Sequence, residues 1–154
     1  MAAIREKALV TIEMAGRCPS QTRSEVQIGH HQVVIDEPIA SGGTDQAPTP
    51  LETLLAALIG CTNVILNKIA ARDGVPIESL DVTLGATLDR RGTTLQEEVA
   101  VPFPSITLGI RFTTSATPDQ VAALRPELGK FCPVSKILRE AGTRIVETWD
   151  VTYR

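Results

Sequence analysis

The stretch from Thr49 to Gly74, TPLETLLAALIGCTNVILNKIAARDG, leaves this chain few ways to fold. Thr49 is a good helix N-cap, and Pro50 suits the first helical position, where no amide donor is needed. Glu52 can complete a capping box by reaching back to the Thr49 amide. Gly74 can end the helix in a left-handed conformation. Leu51, Leu54, Leu58, Cys61, Ile65 and Ile69 recur at steps of three and four, which is one helical face. Leu55, Ala56, Ala57, Ile59, Val64 and Leu66 widen that stripe until the first half is apolar nearly all round. A helix like that must be covered on most sides, so it belongs at the centre of the fold. Cys61 sits in the middle of it.

The 154 residues suit a single domain over 1–154 with room for a real core. At 43% hydrophobic and 21% charged, the composition is that of an ordinary globular protein. A net charge of -3 gives no electrostatic case for nucleic acid or an anionic membrane, and 3% aromatic residues offer no stacking platform for bases. The longest apolar run, Leu54 to Cys61, is too short to span a bilayer. The start, MAAIREKALVTIEMAGR, lacks the apolar block of a signal peptide. The expected location is therefore the cytoplasm. Cys18, Cys61 and Cys132 are odd in number, match no zinc spacing and contain no CxxC pair, so neither a disulfide framework nor a metal or other cofactor is expected.

In chain order, residues 7 to 14 alternate loosely and read as a first strand, and AGRCPSQTRS as a turn. EVQIGHHQVVID reads as a hairpin around Gly29, and EPIASGGTDQAPTP as a loop. Beyond the central helix, Leu80, Val82, Leu84, Ala86 and Leu88 alternate with polar or small residues as a half-buried strand. Arg90, Arg91 and Gly92 turn the chain, and Pro102 and Pro104 argue against a central strand before Ser105. SITLGIRF is another alternating strand. Thr117, Pro118 and Gln120 repeat the helix-start signature, with Pro126 expected to kink or end that helix. Cys132 and Pro133 open a third helix that Gly142 closes, and TRIVETWDVTYR is a last strand. The order β-β-β-α-β-β-α-α-β predicts an α+β fold, an antiparallel sheet packed on a long central helix.

Cys132 has the most direct chemical argument, because a thiol at a helix start faces unpaired amides that favour its thiolate. Cys61 lies mid-helix in apolar surroundings, which raise a thiol pKa unless a cation is close. Either it is a small core side chain, or another segment supplies a positive group. Cys18 reads as a bystander in a loop. His30 and His31 are adjacent, so on a strand they face opposite ways and form no metal site alone. Arg90 and Arg91 read as solvated turn residues.

VVIDEP, then GG-x-D-x-x-PTP-x-E-x-LLAAL-x-x-C, and finally CPVSKIL resemble the OsmC/Ohr family of osmotically inducible and organic hydroperoxide resistance proteins, over about residues 7 to 152. The stretch around Glu52 is closer to the broader OsmC-like branch. The resemblance implies an intertwined homodimer with active sites at the subunit interface and a thiol peroxidase activity. It implies Cys61 as the peroxidatic and Cys132 as the resolving cysteine, with a small-molecule peroxide as substrate and an external dithiol as reductant. It also implies Arg17, in a Gly-Arg setting after the first strand, as the activating cation.

The family's carboxylate is where this sequence departs. In the hydroperoxide-resistance branch a glutamate directly follows the Pro of the helix start, and Leu51 stands there instead. Glu52, one place later, is the remaining catalytic candidate. At ~100° per residue it is rotated ~900° from Cys61, to the opposite side of the helix, so a capping role is the better reading within one chain. Across a dimer interface it could still act on Cys61. The alternative function is a dimeric binding protein whose apolar interface pocket holds a small hydrophobic or electrophilic ligand. A helix from Pro50 to Gly74 would span ~37 Å, long for a domain this small, and predicts that a second copy covers its free side.

Overall fold

The computed structural model describes residues 8–154, which form two compact units divided between Thr53 and Leu54. The first contains a three-stranded antiparallel sheet of β1 (Ala15–Arg17), β2 (Ser24–Ile28) and β3 (His31–Ile35). Ile28 pairs with His31, so Gly29 and His30 alone make the turn, and Gly29 takes the positive φ of 58° that a two-residue hairpin needs. His30 is therefore in the turn and not on a strand, and its ring centroid lies 3.9 Å from that of His31, the two rings tilted by 44°, instead of facing away. The first strand lies later than its alternation predicts. Residues 8–14 form no strand, whereas Ala15–Arg17, read as the start of a turn, pair with Glu25–Gln27. Residue 7 lies outside the described residues. Leu9, Val10, Ile12 and Met14 remain 60–90% exposed, because alternation shows only that a segment could pair and not that a partner exists in the same chain.

The loop after β3 is held by Asp36. Its buried carboxylate accepts from the Thr44 amide at 3.0 Å and from the Thr44 hydroxyl, and its amide donates to Pro48 O at 3.1 Å. These contacts lead the chain into Thr49, where the helix begins. The Thr49 amide donates to Glu52 Oε2 at 2.8 Å and the Glu52 amide to Thr49 Oγ1 at 3.2 Å, which is the expected capping box.

Helix α1 (Pro50–Arg72) starts in the first unit and continues through the second. It ends as expected at Gly74, φ 69°, with Val75 N bonded to Ala70 O and Gly74 N to Ala71 O. Its 23 residues are long and apolar enough to cross a membrane by length and composition, which the short run Leu54–Cys61 had not suggested. Leu58, Thr62, Leu66, Ile69 and Ala70 are nevertheless buried within the protein.

Then follow β4 (Glu78–Thr87), the short α2 (Arg90–Thr93), β5 (Ser105–Thr114), α3 (Pro118–Phe131), α4 (Pro133–Glu140) and β6 (Arg144–Tyr153). Apart from α2 this is the expected order, and the fold is α+β. The second sheet runs β4-β5-β6, with β5 central. Ile106, Leu108, Ile110 and Phe112 of β5 are all buried, each worth ~1.5–3 kcal/mol of burial. The sheet is mixed, not antiparallel: β4 and β5 are antiparallel but β5 and β6 parallel. The α3–α4 pair returns the chain to the starting end, as a parallel neighbour requires. Pro126 does not end α3, which continues to Phe131. Its missing amide forfeits one helical bond, while Val121, Leu124 and Leu128 stay buried around it.

Candidate active site

Cys61 lies midway along α1 and is partly exposed; Cys132 caps α4 and is fully buried. Their spacing in the chain hides how near they are. Cys132 Sγ donates to Cys61 Sγ at 3.0 Å. Both are free thiols, and a disulfide between them would bring the sulfurs to ~2.05 Å.

Burial pushes the Cys132 thiol up to about 11, and its hydrogen bond to Cys61 acts in the same direction. The amides of Ser135 and Val134 at the start of α4 pull the other way and lose. This corrects the expectation that the helix start would favour a Cys132 thiolate: desolvation at a fully buried sulfur outweighs two helix-start amides. Cys132 thus keeps its proton and donates it toward Cys61, the less buried of the two cysteines.

Beyond Cys61 along α1, Ile65, Lys68, Ile69 and Arg72 form a groove of about 260 Å³ with Phe131, the neighbour of Cys132. Ile65, Ile69 and Phe131 make its lining mostly apolar, and Lys68 and Arg72 add two cations. Arg72 is occupied by Asp73 at 2.7 Å and Glu127 at 3.2 Å, and lies 5.9 Å over the Phe131 ring.

Glu52 belongs to the capping box, and its hydrogen bonds from Thr49 hold its carboxyl below the usual carboxylate range. Arg17 is exposed at the end of β1, opposite Glu25, whose carboxylate is taken by Arg23 at 3.0 Å. Cys18 is exposed, 3.6 Å from Ser24 Oγ. No group of three or more metal-ligating side chains occurs among the described residues.

Around Cys132 the structure adds residues that belong to none of the sequence motifs. Arg139 donates to Ser135 Oγ at 3.3 Å, to Ile145 O at 3.2 Å and to Glu147 Oε1 at 3.0 Å. Glu147 also accepts from Trp149 Nε1 at 3.2 Å. A signal for them was present: β6 alternation puts Glu147 on the face of Ile145 and Trp149, and a carboxylate among apolar side chains needs a cation.

A family model described as OsmC-like protein matches residues 43–147. No curated protein matches the sequence significantly. Among solved structures, an OsmC-like protein from Mycoplasma pneumoniae superposes with a TM-score of 0.79 at 14% identity, over 94% of this chain and 99% of that one. An organic hydroperoxide resistance protein OsmC from Legionella pneumophila gives 0.66 at 16% identity, over 94% and 99%. The organic hydroperoxide resistance protein OhrB of Bacillus subtilis gives 0.59 at 18%, over 92% and 99%. At these identities the likeness is one of fold.

Proposed function

Since the chain belongs to the OsmC-like family, we propose that it is a thiol peroxidase acting on organic hydroperoxides through Cys61 and Cys132. The observation that carries this reading is the 3.0 Å contact between the sulfurs of a partly exposed cysteine and of a buried, protonated one. The names of the Legionella and Bacillus structures, organic hydroperoxide resistance proteins, agree with it. In the first step the Cys61 thiolate attacks the outer peroxide oxygen, leaving a sulfenic acid, while the departing alkoxide takes a proton and leaves as alcohol. In the second, the Cys132 sulfur displaces the sulfenic hydroxyl, its proton leaves in water, and a Cys61–Cys132 disulfide forms. An external dithiol, itself oxidised to a disulfide, restores both thiols. The apolar groove beside the pair suits a peroxide with a hydrocarbon body better than hydrogen peroxide.

On the family resemblance, we take Arg17 as the cation that would activate Cys61 and the protein as a cytoplasmic homodimer with the site at its interface. Leu54, Ala57 and Val64 lie on the Cys61 side of α1 and are exposed, so a second copy would pack where the peroxide enters. The purified protein should consume an alkyl hydroperoxide in the presence of a dithiol, and Cys61→Ser should stop it. Normal turnover by that variant would overturn the assignment. One observation favours the binding-protein reading: the acidic candidate, Glu52, is spent on the helix cap. Thiol labelling separates the two, since a binder has no need of a fast-reacting Cys61.

A further inference from the structure

Resting on the two-thiol reading above, we infer that Arg139, seated on Glu147, is the positioning residue that fixes the first turn of α4 and so holds the Cys132 thiol against Cys61. One guanidinium bonds three acceptors on two elements: Ser135 Oγ one turn back along α4, and Ile145 O and Glu147 Oε1 on β6. Ser135 is buried, and its amide is one of the two that act on the Cys132 sulfur. The anchor therefore reaches the very turn that carries the thiol.

Glu147 suits this role because it is not free to follow a moving arginine. Its side chain is only 16% exposed, and its second oxygen accepts from Trp149. Trp149 is in turn packed edge-on against Phe112 at 6.1 Å and covered by Arg125 at 5.3 Å. A carboxylate so placed is costly unless paired, and Arg139 is the cation it pairs with. The helix it steadies has only 8 residues, little more than two turns, so its own length gives α4 little hold on the sheet. Neither Arg139 nor Glu147 touches a reacting atom.

What such an anchor governs is the second step. The Cys132 sulfur must meet the sulfenic sulfur of Cys61, forming the S–S bond as the S–OH bond breaks and water leaves with the thiol proton. Cys132 is oxidised and the sulfenic sulfur reduced. If that meeting is late, a second hydroperoxide takes Cys61 on to the sulfinic acid. The division of Cys61 between disulfide and sulfinic acid thus reads the position of Cys132, which general destabilisation of the fold would not shift in this specific way.

The test compares wild type with Arg139→Ala and Arg139→Lys, the lysine keeping the charge but losing the three-way fork. In a glutathione redox buffer, the two thiols pass two electrons to glutathione disulfide, and the equilibrium gives the effective concentration of Cys132 at Cys61. We expect Arg139→Ala to lower it by ~10- to 100-fold, as a small misplacement of a reacting group does, and Arg139→Lys to fall between. With an alkyl hydroperoxide as the oxidant, mass spectrometry should show the sulfinic fraction of Cys61 rising in the same order. If Arg139→Ala does not fold, Arg139→Lys carries the comparison. Wild-type effective concentration and sulfinic fraction in the folded variants would overturn the inference. A wild-type protein inert to hydroperoxide would sink the peroxidase reading alone, because the glutathione equilibrium tests the anchor without it.

Discussion

At the scale of single residues, Cys132 shows how two pulls on one group are settled by magnitude. Helix-start amides favour its thiolate and burial opposes it; burial wins, and the thiol is held up to about 11. In the unfolded chain a cysteine loses its proton near ~8.5. Between those values the folded state binds more protons than the unfolded one, so stability falls as pH rises through that window and is unaffected below it. Urea titrations at about pH 8 and about pH 10 should show this loss, and Cys132→Ser should remove that part of the slope. An unchanged slope in the variant would mean that Cys132 ionises as freely folded as unfolded. Alkylation at mildly alkaline pH should correspondingly reach Cys18 and Cys61 well before Cys132, since exposure follows that order.

At the scale of elements, α1 is the best-specified piece of the molecule because both its ends are written locally. The Thr49 box and the Gly74 stop each involve residues within a few places of one another. Thr49→Ala should cost about 0.5–2 kcal/mol, as other N-cap losses do. Gly74→Ala meets no atom within 4 Å, so its penalty is backbone strain alone, about 1–2 kcal/mol. Thermal or denaturant unfolding of the two variants checks both values, and a neutral Gly74→Ala would mean that the helix end relaxes. Where partners are distant the sequence was less informative. The direction of β6 beside β5 leaves no mark on β6 itself, and only the α3–α4 connection makes it parallel. Residues 8–14 have the pattern of a strand and no partner among the described residues.

At the scale of the whole molecule, unpartnered apolar surface is the outstanding fact. Leu9, Val10, Ile12 and Met14 are exposed in the first unit, and Leu54 and Val64 are 41% and 49% exposed on α1. Soluble chains seldom leave such a set uncovered. The proposed homodimer would cover Leu54 and Val64, with the helices of two copies packed along the side that carries Cys61. Val64→Glu should then shift the protein from dimer toward monomer or unfolded chain in sedimentation equilibrium, by placing a charge in the buried contact. A wild-type protein that sediments as a folded monomer at micromolar concentration would refute the dimer.

What depends on near neighbours and on periodicity was legible in the residues alone: the caps of α1, the hairpin at Gly29, the buried face of β5, the helix starts at Thr117 and Cys132, and the family motifs around both cysteines. What depends on bringing distant segments together emerged with the packed chain. It placed Cys132 Sγ 3.0 Å from Cys61 Sγ across 71 residues of chain. It buried Cys132 and so reversed the expected preference for its thiolate. It also set Arg139 on Glu147, a pairing between a helix and a strand in which the alternation of β6 shows the need for a cation but not which one supplies it. The difference is physical. Caps and faces follow from backbone geometry over a few residues, whereas a contact between sulfurs, the dielectric around one of them and the partner of a buried charge are properties of the packed chain.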